Sequence, residues 1–278
     1  MDNGRSLNER SSLSRLTCMD AHIHLDLYPE EEREVMLKEA SRNGVVAVVA
    51  VSMHMESALV NYRLSQRYPQ GVHPAYGFHP EQKLPSPDEL DRLVAWIRER
   101  HAAGEPFAIG EVGLPYYMRT EAEAAGQSFD EAPYIELLDR FVALAAELDR
   151  PIVLHAVYED ADKACGLLER YGVRKAHFHW FKGSEECIRR MAASGYYVSV
   201  TPDVAYEEEI KSLVRQYPLT QLMAETDGPW PFEGPYSGKR TVPSMTKEVV
   251  ADIAVLKGLQ AQEAAEQLLR NTKQFYML

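Results

Sequence analysis

Cysteine is scarce: Cys18, Cys165 and Cys187 are the only three in 278 residues. An odd number without tight spacing argues against a disulfide framework and against a cysteine-rich zinc site, and it fits a reducing compartment, so a cytoplasmic location is expected. Long apolar runs are also missing. No stretch approaches the roughly 20 residues that cross a bilayer, so no membrane association is expected. The start from Met1 to Ser14 lacks the apolar run of a secretory signal. Arg5, Arg10 and Arg15 lie among serines as in a transit peptide, but Asp2 and Glu9 oppose that reading, and residues 1–16 are expected to be a flexible extension. Positive charge is short as well: 30 Lys and Arg face 42 Asp and Glu, a net charge of −12. No global positive field attracts nucleic acid, so any phosphate binding must be local, and bound divalent ions could supply the local charge.

What is present suits one large globular domain. Hydrophobic residues make up 45% and charged residues 26% of the chain, a balance that can bury a sizeable core. The length matches the roughly 250 residues typical of a barrel of eight strand-helix units. Eight apolar, β-branched runs recur: 18–23, 45–51, 72–78, 107–112, 152–157, 176–181, 196–200 and 221–224. Most read as strands buried on both faces, as in a parallel sheet covered by helices. Helical spacing lies between them, as at Leu90, Leu93, Val94 and Ile97, or Ile135, Leu138, Val142 and Ala145. Pro29, Pro87 and Pro133 sit where helices should begin, and Gly44, Gly104, Gly172 and Gly195 where they should end. The predicted fold is α/β, a single-domain TIM-type (β/α)8 barrel over residues 17–278. Two segments, 115–131 and 228–243, are too long and irregular for ordinary connections and could wall a pocket.

The chemistry-bearing residues cluster at the strand ends. His22 and His24, two apart at the end of the first run, point to one face and could converge on one ion; taken alone, the pair fits a packed or surface role equally well. Glu111 ends the fourth run, His155 falls in the fifth, His179 late in the sixth, and Asp227 follows the eighth. Each carboxylate alone would read as a strand meeting solvent. Five strands placing ligand types at the same end make one rim, where such barrels collect catalytic residues. Four imidazoles and two carboxylates can hold two divalent ions, with Glu111 as the bridging candidate.

The chain resembles the TatD-type metal-dependent hydrolases of the amidohydrolase-like superfamily. The matching stretches are Asp20 to Asp26, Gly77-Phe78-His79-Pro80, Ile109 to Leu114, Leu154-His155, His179 to Gly183 and Glu225 to Pro229. Arg240 with Pro243 and Asn271 to Phe275 extend the match, which runs from about Thr17 to the C-terminus. The resemblance implies a two-metal site: His22, His24, Glu111 and Asp227 on one ion, Glu111, His155 and His179 on the other. Asp227 would be the general base, Glu111 would join it in catalysis, and His79 would contact substrate. The implied activity is phosphodiester hydrolysis of deoxyribonuclease type by a metal-activated water, with DNA or another phosphodiester as partner and no obligate protein partner. Hydrolysis of an amide, lactone or small ester is the alternative. Mixed imidazole and carboxylate ligands favour zinc or manganese over magnesium, iron or nickel.

Two positions depart from the family pattern. Pro115 stands where an acid commonly follows Gly-Leu, and Ala156-Val157-Tyr158 follow His155 where an arginine is common. Loss of a fixed cation puts the substrate class in question more than hydrolysis itself. Trp180 replaces a common cysteine and could stack on a base. His54, His73, His101 and His177 match no ligand position and are read as structural or surface residues.

Overall fold

A computed structural model describes residue 13 and residues 16–278. The expected extension, residues 1–16, otherwise lies outside the described residues; Leu16 itself is buried. The chain alternates β1 (Cys18–Ile23), α1 (Glu30–Arg42), β2 (Val45–Ala50), α2 (Met55–Arg67), β3 (Val72–Tyr76), α3 (Pro87–Ala102) and β4 (Ala108–Gly113). Two helices follow, α4 (Tyr116–Ala124) and α5 (Ala132–Leu148), before β5 (Ile152–His155), α6 (Glu159–Tyr171), β6 (Ala176–Phe178) and α7 (Glu185–Ala193). The chain ends with β7 (Tyr197–Val200), α8 (Glu208–Gln216), β8 (Leu222–Ala224), α9 (Thr246–Lys257) and α10 (Ala261–Tyr276).

The strands follow one another from β1 to β8 in a single sheet, parallel in the pairs β1–β2, β3–β4, β4–β5, β5–β6 and β7–β8. β1 also meets β8, through the Asp227 amide donating to the His22 carbonyl at 3.0 Å. This is the (β/α)8 class. No helix of the described residues is long and apolar enough to cross a membrane.

Contacts gather into two compact units, each discontinuous in sequence. The first takes the chain up to Ala50, Leu64–His73 and Val198–Leu278. Here Asp20, fully buried in β1, accepts hydrogen bonds from the Thr226 amide at 2.9 Å and the Thr226 hydroxyl at 2.5 Å. That fixes the end of β8 against β1. The terminal helix adds a second tie: Asn271 donates to the carbonyls of Leu219 and Leu222, both at 2.7 Å.

The second unit takes Val51–Arg63 and Pro74–Tyr197. β4 and β5 lie in register Ile109 to Ile152 and Gly113 to His155. A Cβ at Gly113 would stand 1.8 Å from the His155 carbonyl oxygen, so only glycine lets these two strand ends approach so closely. α3 begins on a capping box of Ser86 and Glu89, which satisfies amides that the first turn would leave open. α5 buries Leu138, Phe141 and Val142 completely, each worth roughly 1.5–3 kcal/mol of apolar burial.

Two expectations need revision. The segment 115–131 is not irregular throughout, since α4 occupies nine of its residues. The runs expected to 157 and 181 stop as strands at His155 and Phe178, where Tyr158 and Trp180 take φ of 50° and 39°. A left-handed residue cannot continue a strand.

Candidate metal centre

Two groups of donors are built, one in each unit. In the first, His22 and His24 bracket the end of β1 and Asp227 follows β8 by three residues. All three are buried. The Asp227 Oδ1 atom stands 3.3 Å from His22 Nε2 and 3.5 Å from His24 Nε2. The imidazole rings meet edge-on, centroids 5.3 Å apart. Asp227 holds a φ of 49°, a region costing a non-glycine residue on the order of 1–2 kcal/mol. The turn is pinned from both sides, by the His24 amide donating to the Gly228 carbonyl at 2.8 Å and the Trp230 amide to the Asp227 carbonyl at 3.2 Å. Strain of this kind concentrates where a side chain has to be aimed.

The second group centres on Glu111 in β4. Its Oε1 lies 2.7 Å from His179 Nε2, 3.2 Å from His155 Nδ1 and 3.3 Å from His79 Nε2. Glu111 is 0% exposed. An ionised carboxylate so deeply buried needs cations or donors around it. Here it has three imidazoles. His79, expected from the sequence as a substrate contact, thus stands inside the donor set: His79, Glu111 and His155 offer ligand atoms within 4.8 Å of one another. The imidazole of His155 is pushed down by burial, but the carboxylates of Glu111 and Glu81 outweigh that and raise its pKa above the usual value.

Glu81 escaped the sequence reading. Its carboxylate lies 3.2 Å from His155 Nε2 and accepts the backbone amides of Tyr117 and Met118, each at 2.8 Å. Burial pushes its pKa up, yet His155 and the two amides hold it below the ordinary carboxylate range. Only the loop's position after His79-Pro80 could have signalled it.

Arg119 in α4 and Lys182 after β6 are both engaged by neighbours. The Arg119 guanidinium is shared among Glu159 and Asp160, both at 2.9 Å, and Glu131 at 3.4 Å. It also lies over the Tyr116 ring, 5.4 Å from the centroid. Lys182 Nζ stands 5.8 Å over Trp180. The four histidines set aside earlier have ordinary surroundings: His54 pairs with Glu56 at 3.0 Å, His101 meets Arg150 at 3.3 Å, His177 is buried within β6, and burial lowers the pKa of His73.

Three buried imidazoles around the carboxylate in one group, and two in the other, make mixed nitrogen and oxygen donor sets that could hold a divalent metal ion.

The sequence profile described as TatD related DNase matches residues 19–277. An uncharacterized metal-dependent hydrolase of Haemophilus influenzae is 38% identical over 259 residues, covering 93% of this chain and 99% of that protein. The human deoxyribonuclease TATDN3 is 30% identical over 265 residues, covering 93% and 94% respectively. Among solved structures, the TatD homologue YJJV of Escherichia coli K12 superposes with a TM-score of 0.79 at 26% identity, covering 96% of this chain and 99% of that one. The chain therefore belongs to the TatD related DNase family of metal-dependent hydrolases.

Proposed function

We propose that the chain is a phosphodiesterase, acting on DNA or a related phosphodiester, whose two donor groups each hold a divalent ion, zinc or manganese foremost. His22, His24 and Asp227 would hold one, and Glu111, His155 and His179 the other. The observation that carries this reading is the aiming of Asp227: a strained, buried carboxylate within 3.5 Å of two imidazoles. Family membership and the human relative named a deoxyribonuclease support the substrate class.

Bound ions would lower the pKa of a water and polarise the phosphoryl oxygen. The chain's own residues do the rest. Asp227 accepts the proton of the attacking water as the new P–O bond forms and the bond to the leaving oxygen breaks. Glu111, shielded from solvent, would serve as a ligand, and His79 beside it contacts the substrate phosphate. Three free, buried cysteines fit a reducing compartment, and we place the protein in the cytoplasm.

The test is cleavage of labelled single-stranded DNA and of bis(p-nitrophenyl) phosphate by protein loaded in turn with zinc, manganese, magnesium, nickel and iron. Asp227→Asn, assayed at saturating metal, should lose roughly 10²–10⁴-fold in turnover. Absence of cleavage under every metal would overturn the assignment. The engagement of Arg119 by three carboxylates favours one second reading, hydrolysis of a small neutral ester, lactone or amide, and rates on a panel of these decide between them.

A further inference from the structure

We propose that Glu81 is a positioning residue for the second donor group, fixing His155 as an Nδ1 ligand while clamping the first turn of α4 beside it. The proposal rests on reading that group as a metal site and is independent of the substrate.

The two ring nitrogens of His155 face different partners. Nδ1 faces the other donors, 3.2 Å from Glu111 Oε1 and 3.1 Å from His179 Nε2. Nε2 faces Glu81 Oε1 at 3.2 Å. An ionised carboxylate only accepts, so the Nε2 position must carry the proton, and the neutral ring then presents its lone pair at Nδ1. That is the tautomer a cation between His155, His179 and Glu111 requires. A carboxylate behind a ligating imidazole sets ring orientation and raises ligand basicity.

Glu81 is itself held. Oε1 accepts the Tyr117 amide and Oε2 the Met118 amide, both at 2.8 Å. These are amides of the first turn of α4, which the N-cap Pro115 cannot satisfy through a side chain, and the positive end of a helix favours a carboxylate there. One side chain thus links a rim helix to a ligand 74 positions away in sequence from it. The Tyr117 ring, 43% exposed, sits with its centroid 6.0 Å from that of His155. Order at the rim and order at the ligand therefore share a single support.

The experiment measures metal binding and backbone protection, with no substrate present. Zinc affinity is read by chelator competition on Glu81→Ala, Glu81→Gln and the parent protein, and amide exchange at Tyr117 and Met118 is followed in the metal-free proteins. Glu81→Ala should lose roughly 10–100-fold in affinity at one of the sites, and Glu81→Gln, which keeps one acceptor, should fall between. Exchange at Tyr117 and Met118 should rise in Glu81→Ala and stay at the parent level in His155→Ala. Unchanged affinity in both Glu81 variants overturns the proposal, as does equal loss of amide protection in His155→Ala. Failure of DNA cleavage alone would overturn the substrate assignment and leave this one standing.

Discussion

Cys18 lies in β1, 2% exposed, with its thiol 3.7 Å from the Thr246 hydroxyl. Burial pushes its pKa from the ordinary 9.0 up to about 11. A thiol so buried resists ionisation, so the folded state holds its proton more tightly than the unfolded chain does. The resulting stabilisation is complete below the unfolded value and is lost as pH rises through the folded one. Over pH 9 to 11 the advantage of the parent over Cys18→Ser should shrink by about 2–3 kcal/mol, measured by urea unfolding at a series of pH values. A difference flat across that window refutes it. The proposed ligand residues, by contrast, stand out in the sequence because each is a ligand-type side chain at or just after the end of an apolar run, and the family resemblance orders them. Glu81 is not legible, since an acid in a loop after His-Pro reads as solvated and nothing in local spacing turns it back toward His155. The inclusion of His79 in the donor set is hidden for a similar reason: its distance to Glu111 depends on how neighbouring strand ends are spaced.

At the scale of elements, glycine acts in opposite senses at two positions. Gly113 admits the approach of β4 to β5, and a Cβ there would lie 1.8 Å from backbone oxygen. Backbone cannot yield as a flexible side chain does, so Gly113→Ala should cost about 3 kcal/mol or more and disturb the register that places Glu111 and His155 together. Gly166 sits inside α6 with nothing within 4 Å of its would-be Cβ. Gly166→Ala should therefore stabilise by about 0.5–1 kcal/mol. Thermal unfolding of both variants checks the pair; a tolerated Gly113→Ala or a destabilising Gly166→Ala would contradict it. The strands are readable from apolar runs, because most of their residues are buried and periodicity is not needed to find them. α4 is invisible to the same reading: none of its residues is buried, so it has no apolar stripe to announce a helical period.

At the scale of the whole molecule, the binding of ions and the balance of charge decide behaviour. Ions that bind the folded chain and not the unfolded one stabilise by mass action, about 2.7 kcal/mol for each site loaded at a hundred times its Kd. Chelation should lower the unfolding temperature by several degrees, and zinc or manganese should restore it in a concentration-dependent way; no shift would argue against structural coupling of the donors to an ion.

The net charge of −12 makes a sharper demand. A nuclease that tracks its substrate along a basic groove neutralises many phosphates, releases many counterions and weakens steeply with salt. Here the chain is acidic overall, and Arg119 in α4 is already bound by carboxylates. Under the proposed function, attraction would come from the bound ions, acting on one or two phosphates. The apparent affinity for single-stranded DNA, plotted as log affinity against log salt, should fall with a slope no steeper than about −2, where six contacts on a single strand would give about −4. A shallow slope also implies that short oligonucleotides bind nearly as well as long ones, because added phosphates find no added cations. Measuring KM between 50 and 200 mM salt, for two lengths of strand, tests both consequences; a slope of about −4, or affinity that climbs with length, would mean that an extended cationic path exists and that the net charge misleads.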